Sequence, residues 1–199
     1  MGTFSKHHRF HENGQDPNVN NVAAYGRPYH SLYTSTKLMS VRHHIDVTDD
    51  AGRVIYQAQS KVISYRDKTD IYDFRGTHVA HIERKAMSFH ERHYVSMAGG
   101  LQFELSNEIF HMVKDITNIE GLGWQLRGNV WGLNFALYDH LGRIIAVIGQ
   151  KWFSVHDKYC VDIYQPAAEP IVIAILITLQ HMICDRENRQ AANRSTNQR

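Results

Sequence analysis

The sequence predicts a mainly β fold, a closed antiparallel barrel of about twelve strands around a central hydrophobic C-terminal helix. Three observations predict it. A unit of strand, tight turn and strand recurs every 24 residues. Apolar and polar residues alternate between the turns, which is the period of a half-buried strand. One apolar run, residues 170–184, exceeds the roughly four to eight residues of a buried strand, so its length favours a helix.

The chain begins with a segment that has little apolar periodicity. Residues 1 to about 30 carry Asn-Gly and Asp-Pro pairs and several further asparagines, which favour loops. Such a segment buries too little apolar surface to offset the entropy lost on ordering. We therefore expect a disordered N-terminal arm over residues 1–30 and one barrel domain over 31–184, for which 199 residues are sufficient.

The 24-residue repeat begins after this arm. Each unit opens with a lysine, two apolar residues and a serine, and the lysines are Lys37, Lys61, Lys85 and, later in the chain, Lys151. The turn glycines share the spacing: Gly52, Gly76 and Gly100. Three turns have the form Asp-x-x-Gly, in which the aspartate hydrogen-bonds the backbone ahead and glycine supplies a positive φ. Links this short make successive strands antiparallel neighbours.

About twelve strands follow from the alternation, and 158–164 is a thirteenth or a continuation of the last one. They lie near 37–41, 43–48, 53–64, 68–73, 78–89, 93–97, 101–105, 109–113, 116–120, 123–131, 134–138 and 143–154. The stretch 106–123 stays open between strand and helix. Ile109, Met112, Val113 and Ile116 within it would also share one face of a short helix.

The apolar run 170–184 is predicted to lie inside the barrel. An open meander would leave two edges and a bare apolar face, whereas closure removes the edges. A barrel of twelve strands is too wide for strand side chains alone to fill. A helix over 170–184 would be about 22 Å long, close to the height of a strand of about six residues. Residues 185–199 have no apolar residue larger than alanine, so we expect a disordered tail there.

Several of these residues resemble a known family. The resemblance is to the LURP-one-related family of the Tubby C-terminal-like superfamily and covers about residues 30–184. It rests on the Lys-x-[Met/Ile/Phe]-Ser units, on Glu-Gly-Leu-Gly-Trp-Gln-Leu-Arg-Gly at 120–128, on Lys-Trp-Phe-Ser at 151–154 and on Glu-Pro-Ile-Val-Ile-Ala-Ile at 169–175. It implies a twelve-stranded barrel threaded by a C-terminal hydrophobic helix. The superfamily includes phospholipid scramblases and Tubby proteins, which bind phosphoinositides, but no motif here matches the phosphoinositide-holding residues of Tubby proteins.

Motifs of the common enzyme and cofactor classes are absent. The sequence has no Gly-x-Ser-x-Gly elbow, no Gly-x-x-x-x-Gly-Lys-Ser/Thr loop, no His-Glu-x-x-His and no Cys-x-x-Cys. His78 and His81 are three residues apart, which places them on opposite faces of a strand and predicts no metal site. A formal net charge of +2 gives no reason to expect a nucleic-acid partner. We expect a protein that is not an enzyme and uses no cofactor or metal.

The recurrent cations are the candidate ligand-binding residues. They occupy equivalent points of successive hairpins, so closure would distribute them around one rim or wall, where a basic patch would bind phosphate headgroups. The candidates are Lys37, Lys61, Arg66, Lys68, Lys85, Arg92, Arg127, Lys151 and Lys158. The alternative is that these charges only keep the barrel soluble and discourage edge pairing, since acids and histidines lie among them.

The leading hypothesis is a non-enzymatic binding module in the cytoplasm, peripheral to a membrane, that recognises anionic phospholipid or phosphoinositide headgroups. One alternative is a protein–protein interaction or structural module without lipid affinity. Another is an enzyme with a barrel-end pocket built from residues distant in sequence. Two cysteines, Cys160 and Cys184, and the lack of an apolar segment after Met1 predict an intracellular protein with reduced thiols. Polar residues at 180 and 181 favour burial of the apolar run over a transmembrane span.

Overall fold

The structure is a computed structural model that describes residues 25–35, 44–61, 67–85, 92–106, 116–130, 134–151 and 158–196. These ranges contain twelve β-strands, one 3-10 turn and one α-helix. The strands are β1 (His30–Ser35), β2 (His44–Thr48), β3 (Val54–Lys61), β4 (Lys68–Asp73), β5 (His78–Lys85), β6 (Arg92–Met97), β7 (Gln102–Ser106), β8 (Ile116–Ile119), β9 (Trp124–Asn129), β10 (Asn134–Tyr138), β11 (Ile144–Lys151) and β12 (Lys158–Ile163). The 3-10 turn Pro166–Ala168 leads into helix α1 (Glu169–Thr196).

All twelve strands join one antiparallel sheet that closes into a barrel. Their order is β7-β6-β5-β4-β3-β2-β1-β12-β11-β10-β9-β8, so the pairing of β1 with β12 brings the two halves of the meander together. At the remaining seam, β7 and β8 are joined by one isolated bridge, in which the Glu104 backbone N–H donates to the Glu120 carbonyl oxygen at 3.2 Å. The predicted antiparallel barrel of about twelve strands with a C-terminal helix is confirmed.

The barrel has two distinct ends. The turns after β2, β4, β6, β8 and β10 lie at one end, called here the turn end. Strands β3, β5 and β11 finish at the opposite end, called the rim end, where β4, β6 and β12 begin. Hydrogen bonds between residues close in sequence stabilise the turn end. Asp49 Oδ1 accepts hydrogen bonds from the backbone N–H groups of Ala51 and Arg53, both at 2.9 Å. Gly52 closes that turn with a φ of 77°, which confirms the role predicted for the Asp-x-x-Gly turns.

Helix α1 fills the interior, as predicted. Every residue from Val172 to Leu179 is 0% exposed, because the barrel wall surrounds all faces of the helix and packs on it in a single cluster. At the turn end the Glu169 carboxylate accepts a hydrogen bond from the Tyr56 hydroxyl at 2.9 Å and lies 3.0 Å from His30 Nδ1. A carboxylate in the first turn also suits the positive end of the helix dipole.

The same helix has the length and composition of a membrane span. The stretch Pro166–Ala191 reaches a mean hydropathy of 1.8 over its most apolar window, but 67% of that window is buried inside the barrel. The core helix of a barrel passes such a test because its surroundings are apolar. The observed burial therefore accounts for the composition of the helix.

The helix is longer than predicted. The sequence placed its end at residue 184 and a disordered tail at 185–199, and this was wrong for residues 185–196, which continue the helix to Thr196. Asp185 is held by Arg84 of the barrel wall at 2.8 Å, and Arg189 Nε donates back to the Asp185 carbonyl oxygen at 3.3 Å. Once a helix is nucleated, adding further turns needs no apolar face, so a polar composition did not reveal the extension.

The first described residues also differ from the prediction. Residues 1–24 of the predicted arm and the predicted strands 37–41 and 109–113 lie outside the described residues. Residues 25–29 contact the barrel, since the Tyr25 and Tyr138 hydroxyls are 2.8 Å apart and the Tyr29 N–H donates to the Ile163 carbonyl oxygen at 2.7 Å. The sequence did not predict strand β1, because this strand is a short segment rich in polar residues and no turn motif adjoins it. Within the open stretch 106–123, residues 116–119 form β8.

Candidate functional site

Three hairpins of the rim end place basic residues directly opposite each other. In the strand register, Lys61 pairs with Lys68, Lys85 with Arg92, and Lys151 with Lys158. These six positions are called the basic rim. Like charges directly opposite each other destabilise an antiparallel pair. Three such pairs at one end are therefore not explained by the requirements of folding.

The described side chains of the basic rim point out of the barrel. Along β3, buried Ala58 faces the core, so strand alternation turns Lys61 outward. Lys61, Lys85 and Arg92 are exposed and Lys68 is half-buried. For Lys151 and Lys158 the structure describes the backbone position alone.

Two carboxylates and one aromatic ring partly offset this charge. Lys68 lies opposite Glu83 in the register of β4 and β5. Arg92 Nη1 donates to Glu104 Oε1 at 2.5 Å, and Lys85 Nζ lies 4.5 Å from the centre of the Tyr94 ring. Among the described side chains, four cations stand against these two acids, so this part of the rim has an excess of positive charge.

The basic rim spans eight neighbouring strands, from β6 to β11, and β1 and β2 separate the Lys151–Lys158 pair from Lys61. The rim-end positions of β7 to β10 carry uncharged residues, namely Ser106, Ile116, Asn129 and Asn134. Arg127 does not join the basic rim, since it lies on β9, stacks 4.4 Å above the Tyr138 ring and donates from Nη2 to Gln125 at 2.9 Å. Lys37 and Arg66 lie outside the described residues. The structure thus places six of the nine predicted site residues at the rim end, four of them on the contiguous strands β3 to β6.

A small recess lies inside the barrel next to the basic rim. Its cavity volume is about 30 Å³, and it opens to solvent at its mouth. The described residues that line it are Ile45, Ser60, Asp67, Thr69, Ile82, Arg84, His93, His181, Cys184 and Asp185. Four rim cations are the sequence neighbours of lining residues, because alternation sends one residue outward and the next inward. The basic rim and the recess are therefore the two faces of the same strand ends.

Arg84 is the centre of the recess. Its Nη1 donates to Asp67 Oδ2 at 2.9 Å and to Asp185 Oδ2 at 2.8 Å. Asp67 directly precedes β4 and Asp185 belongs to α1, so this pair of bonds fastens the helix to the wall. The Ser60 and Thr69 hydroxyls lie 2.8 Å apart across β3 and β4. His93, which also lines the recess, is 2% exposed.

Sequence reasoning missed the recess. The signal available was Arg84, which stands at an inward position of β5 in phase with buried Ala80 and Ile82. A cation at a core position requires a buried acid nearby. Its helix partner is 101 residues away in the chain, so sequence spacing could not identify it. Cys184 lines the recess, and both cysteines are buried free thiols.

The outer wall holds a second polar group at Asp70. His81 Nδ1 lies 2.7 Å and His78 Nε2 lies 3.3 Å from Asp70 Oδ1. The expectation that these histidines lie on opposite faces was wrong, because a β-bulge between Ile71 and Tyr72 shifts the alternation by one residue. Burial alone would raise the pKa of Asp70, but the hydrogen bonds to His81 and His78 lower it. Within the described ranges, no three His, Cys, Asp or Glu side chains are grouped to hold a metal ion.

Comparison with known proteins gives one consistent set of relatives. A family model described as LURP-one-related matches residues 30–180. The chain is 26% identical over 159 residues to the uncharacterized protein YxjI of Bacillus subtilis (strain 168), covering 79% of this chain and 96% of that protein. It is also similar to the X-ray structure of a protein from Arabidopsis thaliana, with a TM-score of 0.54, 15% identity and coverage of 79% and 94% of the two chains. That structural similarity supports the fold alone.

Proposed function

Since the chain belongs to the LURP-one-related family, a family of barrel proteins, we propose that it is a non-enzymatic module that binds anionic phospholipid headgroups through the basic rim. It would act in the cytoplasm at the periphery of a membrane. The observation that carries this proposal is the register of the rim hairpins, which sets Lys61 opposite Lys68 and Lys85 opposite Arg92.

The chemistry of the basic rim suits a phosphate-bearing surface. Opposed cations repel each other in the free protein, and an anionic headgroup placed between them relieves that repulsion. Lysine and arginine both bind phosphate, and arginine does so with two parallel hydrogen bonds. The rim lies on the outside of a barrel end, so a flat membrane surface reaches it without a conformational change. Each lysine or arginine near an anionic bilayer contributes about 1 kcal/mol of attraction.

Vesicle flotation tests this proposal. The chain is mixed with vesicles of phosphatidylcholine alone, with added phosphatidylserine, or with added phosphoinositide, at low and at physiological salt. We expect binding to the anionic vesicles only, weakened by salt because surface charges are screened. The double variant K61E/K68E should bind at least about 30-fold more weakly, the equivalent of two lost surface cations.

The matched control is R27E/R75E, which makes the same change of charge at the turn end. Arg27 and Arg75 are both exposed, and neither belongs to the basic rim. We expect this control to keep most of the binding. Equal loss in both double variants would show that net charge, and not the basic rim, attracts the vesicle. The absence of salt-sensitive binding to every anionic vesicle would eliminate lipid recognition and favour a protein partner.

A further inference from the structure

Large apolar side chains are exposed mainly at the turn end of the barrel. Five such side chains are exposed in the described ranges, and four of them, called here the apolar tips, belong to this end: Tyr29, Phe74, Leu101 and Leu141. Tyr29 directly precedes β1 and the others lie in separate turns, so the tips are spread around the circumference of the end. Single exposed apolar residues are ordinary on a protein surface, but a set gathered at one end indicates an interaction surface.

The turns themselves do not require the apolar tips. An Asp-x-x-Gly turn is stabilised by its aspartate and its glycine, and the turn does not fix the two residues between them. The turn after β2 has Asp50 and Ala51 at these positions, and it forms the same aspartate hydrogen bonds as the turn that contains Phe74. Folding therefore does not explain why Phe74 and Leu141 are exposed to solvent.

The charges of the turn end are nearly balanced, unlike those of the basic rim. Its described residues include four arginines and five carboxylates, which are Arg27, Arg53, Arg75, Arg143, Asp49, Asp50, Asp73, Glu120 and Asp139. The side chains of Arg53 and Arg143 are 80% and 65% exposed although each bonds the aspartate of its own turn. A guanidinium has five N–H donors, so both can also donate to a second acceptor. Two turn ends would therefore not repel each other, whereas two basic rims would.

The area of the turn end is sufficient for a stable contact between two copies of the chain. Twelve strands spaced about 4.8 Å apart and tilted by about 40° make a barrel about 24 Å across its backbone. With its perimeter of side chains the end presents roughly 800 Å², the area that each partner contributes to a standard interface. In a contact with two-fold symmetry, the same surface patch serves both copies.

We propose that the turn end is a self-association surface, through which two copies of this chain form an end-to-end dimer with two-fold symmetry. The apolar tips are withdrawn from water at the contact, and arginines of one copy donate to carboxylates of the other. The two basic rims then face away from each other at opposite ends of the dimer. The inference does not rest on the function proposed for the basic rim.

Sedimentation equilibrium of the full chain tests the proposal between about 1 and 300 μM, a range that includes the affinities of weak protein contacts. The mass should rise from 23.0 kDa towards twice that value as the concentration increases. The double variant F74S/L141S should raise the dissociation constant at least about 100-fold, because it removes buried apolar side chains from both copies. A wild-type chain that stays at 23.0 kDa over the whole range would overturn the proposal.

The matched control is Ile116→Ser. Ile116 is the fifth exposed apolar side chain, 46% exposed, and it lies at the rim end, so this variant should leave the dissociation constant unchanged. Equal weakening by Ile116→Ser, or an undiminished dimer in F74S/L141S, would contradict a contact through the turn end. All three substituted side chains are exposed, so the variants should fold, and thermal melts verify this.

Spin labels determine which ends of the two copies meet. Cys160 and Cys184 are buried, so a label attaches to a single introduced cysteine, at Ala51→Cys on the turn end or at Lys61→Cys on the basic rim. Dipolar spectroscopy of the dimer should give a shorter distance between two turn-end labels than between two rim labels. The reverse order would overturn the proposal. No vesicle is present, so failure of this test is separate from failure of the function proposed for the basic rim.

Discussion

Single carboxylates hold the turn end together. Asp139 shows how, since its Oδ1 accepts from the backbone N–H groups of Leu141 and Arg143, both at 2.9 Å, while Oδ2 accepts from Arg143 Nε at 2.7 Å. Burial, the largest influence, would raise the pKa of Asp139, but the bonds from Arg143 and Leu141 outweigh it and lower the pKa to about 2. The ionised form is therefore the form that the fold binds.

Asp139→Asn should remove a pH-dependent part of the stability. A carboxyl group whose pKa falls from 3.8 to about 2 on folding stabilises the protein above pH 3.8, and that contribution is lost as the pH falls through about 2. We expect the variant to melt at a lower temperature than wild type at pH 7 and at nearly the same temperature at pH 2. Asp46→Asn, which carries no turn amides, should show no such convergence in melts recorded across this range.

Gly121 lies close to the backbone of a neighbouring strand. Its φ is +90°, and a Cβ atom there would lie 2.7 Å from the Gln102 carbonyl oxygen. Gly76 has a similar φ of +77° with nothing within 4 Å. Gly121→Ala should therefore lower the free energy of unfolding more than Gly76→Ala does. The second variant carries only the strain of about 1–2 kcal/mol for a left-handed residue. Denaturant unfolding of both variants measures the difference, and equal losses would show that the close approach to Gln102 is relaxed easily.

Interactions between residues close in the sequence could be predicted, whereas interactions between residues far apart in the sequence could not. The turn aspartates bond residues two and four positions ahead, so Asp-x-x-Gly alone predicted their role. Lys61, Lys85 and Lys151 of the basic rim were found because the repeat places each of them nine residues after a turn glycine, and the other three rim cations follow seven residues later. Arg84 and Asp185 meet across 101 residues, and the bulge at Ile71 reverses the facing of His78. Neither the contact between Arg84 and Asp185 nor the bulge produces a periodic pattern in the sequence.

At the scale of elements, helix α1 is held at both of its buried ends. Glu169 meets Tyr56 at the turn end and Asp185 meets Arg84 at the rim end. Between them the helix has no exposed face, so the wall packs on it from every side. Residues beyond Asp185 extend past this second fastening, where Glu187 and Ala191 are exposed. The helix is thus a core for its first four turns and a surface element afterwards.

Ile175→Asp should abolish folding to a soluble, cooperative protein. Ile175 is 0% exposed, and an unpaired charge buried there costs several kcal/mol, comparable with the whole stability of a domain. Ala191→Asp introduces the same side chain on an exposed position of the same helix and should leave the melting temperature within a few degrees of wild type. Soluble yield and thermal melts compare the two, and an unchanged melt for Ile175→Asp would contradict a helix enclosed by the barrel.

At the scale of the whole molecule, the strand pairing that closes the barrel is not equally extensive around its circumference. Eleven neighbouring pairs form continuous ladders, whereas β7 and β8 share the single bridge between Glu104 and Glu120. Closure was predicted because an open meander would leave two sheet edges, but the 24-residue repeat weakens after residue 106, so the sequence did not locate the seam. The seam is the part of the barrel where two acidic side chains meet.

The seam should respond to pH in the direction opposite to the turn end. The hydrogen bond with Glu120, followed by burial, raises the pKa of Glu104 above its ordinary 4.5. A raised carboxyl pKa stabilises the fold below pH 4.5, and this contribution is lost as the pH rises through the pKa of folded Glu104. At neutral pH two ionised carboxylates then oppose each other across the weakest junction, although Arg92 contacts one of them.

Glu120→Gln should therefore tighten the seam at neutral pH. The amide keeps a hydrogen-bond donor for Glu104 and removes the repulsion, so we expect a gain of about 0.5 kcal/mol at pH 7.5, the scale of one cross-strand charge pair. The gain in stability should be smaller at pH 4, where a proton shared by Glu104 and Glu120 of the wild type already removes the repulsion between them. Hydrogen exchange of the Glu104 amide, which donates to Glu120, reports opening of the seam directly and should slow in the variant. Glu83→Gln removes an acid that faces Lys68, so the same chemical change there should give no gain. A loss of stability in Glu120→Gln at pH 7.5 would mean that the charge of Glu120 attracts a rim cation more than it repels Glu104.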